Sequence, residues 1–170
     1  MKTLDIDFLK RIPLFTGLSS EKMEKVLAIM TVRSIAEGAF IIRENEIGHE
    51  MYILLDGEVE VSRMLLLKAA GAGMDQRDKM LNKLTANDHA FFGEMGLFHE
   101  NSERTASVIA KTRCSVAVLE QKSFYQLTES DKEIGYYILK NIVRIVSERL
   151  DKTTKDVLKL TTALSLALER

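Results

Sequence analysis

The spacing of apolar positions divides the chain into three textures. Over the first thirty residues they recur at helical intervals. Thr3 to Arg11 reads as a short helix that stops before Pro13, because the residue ahead of a proline is pushed out of the helical region. Ser19-Ser20 then offers cap hydroxyls to a second helix over Glu21 to Met30, in which Met23, Val26, Leu27 and Met30 share one face. From Val32 to Glu120 the period shortens to that of strands. These are predicted at Val32 to Ile35, Phe40 to Arg43, Met51 to Leu55, Glu58 to Met64, Met80 to Leu84, Thr105 to Ala110 and Ser115 to Leu119, with Phe91-Phe92 as a further strand end. Turn signals at Glu37-Gly38, Gly48 and Asp56-Gly57 separate them, and Asp-Gly predicts a two-residue hairpin with positive φ at both positions. Val59 and Val61 alternate with Glu58, Glu60 and Ser62, as in a strand with one wet face. So many short strands at close spacing indicate a closed barrel or a double-sheet roll rather than βαβ units.

From Glu133 to Arg170 the texture is helical again, with no proline and, after Gly135, no glycine. Val146, Leu150, Thr153, Val157, Leu160, Leu164 and Ala167 form a heptad seam that runs past the point where one domain needs covering. A second stripe, Ile138, Ile142 and Ile145, suits a contact with the chain's own strands. Two apolar faces imply two partners, the domain itself and a second copy in a parallel homodimer. The alternative is that the residues after Lys155 fold back or fray. The predicted organisation is thus a β-rich unit with N-terminal helices over 1–132 and a long helix over 133–170. Between strands, residues 65–79, Leu65 to Met74 and the charged residues after it, read as a long mobile hairpin connection whose apolar flank could instead meet a partner.

Composition narrows the function classes. The 170 residues are 46% hydrophobic and 29% charged with net charge −1, so one ordinary globular domain is expected, without global attraction to nucleic acid or anionic lipid. Cys114 is the single cysteine, which excludes an internal disulfide. The first fifteen residues carry Asp5 and Asp7 and no uninterrupted apolar run, so neither a secretory signal nor a membrane span is read and a cytoplasmic location is the default. His49, His89 and His99 lack ligand spacing, and neither Cys114 nor Ser107 has a discernible base, so neither a metal site nor a catalytic constellation is expected. Cys114 reads as a small buried hydrophobe.

One stretch does carry chemistry. Phe91-Phe92-Gly93-Glu94-Met95-Gly96-Leu97 brings a strand end to a glycine and a possible helix start, whose free amides and partial positive charge suit a phosphate. Arg104, ten residues after Glu94, adds a fork able to hold two oxygens. Glu94 is an acceptor for sugar hydroxyls. By themselves, Glu94 and Arg104 are also compatible with a structural ion pair.

Phe92-Gly93-Glu94-Met95-Gly96-Leu97 with Arg104-Thr105-Ala106 resembles the phosphate-binding cassette of cyclic nucleotide-binding domains, and Glu103-Arg104-Thr105-Ala106 is most similar to the bacterial catabolite activator (cAMP receptor) branch. The resemblance covers about residues 6 to 160. It implies a mainly β fold, a double-stranded β-helix or jelly-roll-like β-roll, with N-terminal helices and a long C-terminal helix. Phe92, Gly93, Glu94 and Met95 would then line the phosphate and ribose, with Arg104 on an equatorial phosphate oxygen and Thr105 donating its hydroxyl. Arg149-Leu150-Asp151-Lys152-Thr153-Thr154 resembles the part of the activator's long helix that touches the base. By that match Thr153 binds the purine of its own subunit, Thr154 reaches the nucleotide of the other, and Arg149 approaches Glu94. No cofactor is implied. The ligand is cAMP, favoured by Thr153 and Glu103-Arg104, or cGMP, which Thr105 leaves open.

Departures from the family pattern are Glu46 where a glycine often precedes the third strand, Asn87-Asp88 in place of Gly-Asp, and the extra His89-Ala90 before Phe91. Promoter-binding relatives continue into a winged helix-turn-helix, whereas this sequence stops at Arg170, so direct DNA binding is not expected and an unnamed downstream protein is. The competing expectation is an assembly module of the same fold that has lost nucleotide binding. A metal enzyme on a cupin-like barrel ranks below both.

Overall fold

The computed structural model describes residues 4–67, 75–98 and 103–168. Helix α1 (Ile6–Lys10) is capped by the Asp5 carboxylate, which accepts from the Phe8 amide. It leads through a single 3-10 turn (Pro13–Phe15) to α2 (Ser20–Ala28), whose cap is the Ser19 hydroxyl. Strands β1 (Met30–Ile35), β2 (Phe40–Ile42), β3 (Glu50–Asp56), β4 (Glu58–Leu67), β5 (Asp75–Thr85), β6 (Phe91–Phe92), β7 (Ser107–Ala110) and β8 (Cys114–Glu120) follow, then α3 (Gln121–Ser130) and α4 (Lys132–Leu168).

The strands form two antiparallel four-stranded sheets, ordered β1-β8-β3-β6 and β2-β7-β4-β5. The first sheet is the middle layer of three, and its alternation decides what packs where. On β3, Met51, Ile53 and Leu55 join Leu9, Phe15, Phe124, Ile134 and Ile138 in a core shared with the helices. The intervening Tyr52 and Leu54 join Val59, Phe92, Val108 and Val116 between the sheets. A strand buried on both faces reads as a continuous apolar run, which explains Met51 to Leu55. Adjacent residues Phe91 and Phe92 divide in the same way, one toward the helices and the next toward the second sheet.

Several predicted features are corrected. Asp56-Gly57 is not a hairpin: β3 and β4 belong to different sheets, so this pair turns the chain across the roll, and only Gly57 has positive φ, at 92°. Strands β4 and β5 pair from Glu58↔Thr85 to Leu67↔Asp75, so the ladder runs well into the stretch taken as a mobile connection, and residues 68–74 lie outside the described ones. The strand expected from Thr105 begins at Ser107. Among the described non-glycine residues, positive φ falls on Asn45 (66°) and His89 (50°), each next to a departure from the family pattern. The extra His89-Ala90 is absorbed by the turn at His89, and β6 keeps its register, Tyr52↔Phe92 and Ile53↔Phe91.

Helix α3 was not anticipated. It has no side-chain cap to mark its start, and it buries one residue, Phe124. The long helix does carry the predicted inner stripe. Ile138 and Ile142 are buried and Ile145 packs on the same core, while Asn141 donates to the carbonyls of Leu14 and Thr16. From Val143 onward every seam position named above is exposed. No helix among the described residues is long and apolar enough to cross a membrane.

Candidate functional site

The site is built where β6 ends. Gly93 takes a left-handed conformation (φ 75°) and caps a 3-10 turn over Glu94–Leu97. A turn of that kind leaves its first amides, those of Glu94 and Met95, without an intrahelical acceptor. The Gly96 amide closes the turn on the Gly93 carbonyl at 3.0 Å.

Arg104 lies against this turn, 7% exposed. Its Nη1 donates to the Gly93 carbonyl (3.1 Å), and its Nη2 donates to both the carbonyl (2.8 Å) and the carboxylate (3.1 Å) of Glu50. Gly48 and Gly96 form the walls. A Cβ built on Gly48 would run into Nε, and one built on Gly96 into Nη1, so the guanidinium fits only because both residues are glycine. Three main-chain and side-chain acceptors plus two close walls fix the plane of the fork.

The Glu94 carboxylate points the other way, toward α4, where Arg149 Nη1 donates to Oε1 at 2.6 Å. The Arg149 guanidinium also sits over the Phe91 ring, 5.0 Å from its centroid. Thus Glu94 and Arg104, which the sequence allowed as an ion pair with each other, instead take separate partners, Arg149 and Glu50.

Between them opens a cavity of about 670 Å³. Of the predicted site residues, Phe92, Gly93, Glu94, Met95, Arg104, Thr105, Arg149 and Thr153 all line it. Thr154 does not: it is exposed on α4, with its hydroxyl donating to the Leu150 carbonyl. One end is the cradle of Gly93 to Gly96 and Arg104. The remaining lining includes Leu81, Asn82 and Leu84 from β5 and Lys152, Thr153 and Asp156 from α4. Sequence reading missed Asn82, Asp156 and the Glu50 anchor, which lie outside the motifs and are brought in by strand register or helix phase, and Lys152, which lies inside the Arg149 to Thr154 stretch but was given no role. The chemistry available is binding: a cationic fork and free amides for an anion, a carboxylate for hydroxyls, and an apolar floor of Ile42, Val61, Phe92 and Val108. Among the described residues no group of three His, Cys, Asp or Glu is placed to hold a metal.

Comparison with known proteins gives the family. The family model for the cyclic nucleotide-binding domain matches residues 32–131. The chain is 30% identical over 126 residues to the cAMP-activated global transcriptional regulator CRP of Haemophilus influenzae, covering 71% of this chain and 47% of that protein. Over 166 residues it is 28% identical to cGMP-dependent protein kinase 2 of Homo sapiens, covering 95% of this chain and 20% of the kinase. The solved regulatory domain of Toxoplasma gondii PKA with cAMP superposes with a TM-score of 0.64 at 30% identity, covering 84% of this chain and 48% of that one. The chain spans less than half the length of each of these relatives. The matched region, Val32 to Asp131, holds nearly all of the β-roll with its glycine-flanked turn and caged arginine: the chain belongs to the cyclic nucleotide-binding domain family.

Proposed function

We propose that this chain is a cyclic nucleotide sensor, with cAMP favoured over cGMP, that signals through α4 to a second copy and to a downstream protein. The observation that carries the proposal is the convergence of Arg104, Glu94, Arg149 and Thr153 on one cavity with a phosphate cradle at one end. In the bound state the amides of Gly93, Glu94 and Met95 and the Arg104 fork hold the cyclic phosphate, with Thr105 donating its hydroxyl. Glu94 accepts from the ribose 2′-hydroxyl. Thr153 meets the purine, and Thr154, outside the cavity of its own chain, is free to reach the nucleotide of the second copy. Phe92 forms the floor under the sugar and stacks on Tyr52, with ring centroids 5.6 Å apart.

Signal transfer follows from one contact. Arg149 joins the hydroxyl acceptor Glu94 to the signalling helix, so any ligand that engages Glu94 changes the partner that α4 holds. Ligand binding then shifts the population of α4 positions. The exposed seam from Val146 to Ala167 supports α4 as the homodimer contact, since heptad seams bury themselves against a second helix.

Calorimetric titration of nucleotide-stripped protein with cAMP, cGMP and a 5′-AMP control tests this. Tight binding of cAMP is expected. Arg104→Ala should weaken it about tenfold to a hundredfold, because charged hydrogen bonds contribute roughly 1.5–3 kcal/mol each. Wild-type affinity in that variant would sink the assignment of Arg104 to the phosphate, and no response to either cyclic nucleotide would favour the assembly module instead.

A further inference from the structure

We propose that Glu50 is the counter-charge that tunes the cradle to a singly charged phosphodiester and against a doubly charged phosphomonoester. This rests on the assignment of the cavity as a nucleotide site and names a selectivity residue for it.

Glu50 does not line the cavity. It sits behind Arg104, 30% exposed at its side chain, with its carboxylate 3.1 Å from Nη2. The fork does not need that carboxylate for its position. The Glu50 and Gly93 carbonyls hold both terminal nitrogens, and Gly48 and Gly96 close on the guanidinium. What the carboxylate adds is charge. A cation as buried as Arg104 is costly without a partner, and Glu94, the nearby alternative, is already paired with Arg149. Glu50 therefore neutralises Arg104 while the cavity is empty.

That neutralisation persists when a phosphate arrives, since Glu50 holds Nη2 without lining the cavity. The charged residues of the lining are balanced, with Glu94, Glu103 and Asp156 against Arg104, Arg149 and Lys152. Adding Glu50 tips the sum to the acidic side. One negative charge on the ligand is met by the local cation and the cradle amides. A second meets no further excess of positive charge and is repelled by Glu50 across the guanidinium. Coulombic repulsion scales with ligand charge, so the penalty for a dianion is about twice that for a monoanion.

The test uses the full chain, wild type and Glu50→Gln, titrated with cAMP and 5′-AMP between pH 5 and 8. The amide keeps an acceptor for Nη2 and removes the charge. Glu50→Gln is expected to bind cAMP about threefold tighter and 5′-AMP about tenfold tighter, so that the preference for the cyclic ligand narrows. In the wild type the preference should widen as pH rises through about 6, where a phosphomonoester takes its second charge, and it should widen less in the variant. A purely structural role for Glu50 would weaken both ligands in the same ratio and leave the pH profile alone, and that result overturns the proposal. If Glu50→Gln does not fold, Glu50→Asp, which draws the charge back by one methylene, should shift both affinities in the same direction by a smaller factor, and no shift overturns it. If wild type binds neither nucleotide, the assignment of the site itself fails. If wild type binds cAMP but the ratio is insensitive to Glu50, only the role of Glu50 falls.

Discussion

At the residue scale, the feature with most leverage is the cage around Arg104. A long flexible cation would ordinarily sample many rotamers, and immobilising it costs entropy at the moment of binding. Here Gly48, Gly96, Gly93 and Glu50 have already fixed it. Gly96→Ala should therefore act as an arginine mutation at a distance. The added methyl displaces Nη1 and also meets the Gly48 carbonyl, so cAMP affinity should fall at least tenfold and the melting temperature should drop with it, as isothermal titration and thermal melts would show. Arg104 and Glu94 were legible in the sequence because a glycine-flanked turn followed by an arginine is a local pattern. The Arg104–Glu50 pair was not, since its members are 54 residues apart and meet only through the register of β3 with its neighbours.

At the scale of elements, the mistaken hairpin at Asp56-Gly57 is instructive. The turn chemistry was read correctly at Gly57, whose positive φ sits where a Cβ would strike Cys114 and the Arg113 carbonyl. Local chemistry specifies that the chain bends there, but which strand it pairs with afterwards is decided by burial. Strand β3 needs cover on both faces and stays in the middle sheet, while β4, with one wet face, crosses to the outer one. The junction of α3 and α4 was equally hidden, being held by a cluster from distant sequence. Asp131 takes Lys22 at 2.8 Å and Lys25 at 3.1 Å, and Glu133 takes Lys22 at 3.1 Å. Lys22 first, then Lys25, hold the Asp131 carboxyl down from 3.8 to about 2. A carboxyl lowered in the folded state stabilises above its unfolded value, and that contribution is lost as pH falls through the folded one. Melting temperature should drop between pH about 4 and about 2, and Asp131→Asn should flatten that limb of the curve while lowering the neutral-pH value.

At the scale of the whole molecule, α4 divides into a clamped part and a free part. Its first turns are held by Ile134, Ile138, Ile142 and the Asn141 bonds to the N-terminal segment, whereas Leu150, Val157, Leu160 and Leu164 are 54–69% exposed. Both stripes were legible because helical periodicity survives any tertiary context. If the seam joins two copies, Leu150→Glu should give a monomer in sedimentation equilibrium with an unchanged circular dichroism spectrum, as the side chain contributes nothing to the domain's own core. A dimer that survives this change would move the interface elsewhere.

The clamp ends near Ile145, and the helix continues to Leu168. At a rise of 1.5 Å per residue the overhang is about 35 Å, so a tilt of about 5° at the clamp carries the tip through about 3 Å. Glu94 grips Arg149 just beyond that fulcrum, on the short side of the lever. A displacement there of a few tenths of an ångström, no larger than exchanging one hydrogen-bond partner for another, would therefore arrive at the far end multiplied several times over. The geometry trades force for travel: a ligand acting on Glu94 would supply a short, strong push, and anything docked on the distal turns of α4 would receive a long, weak one.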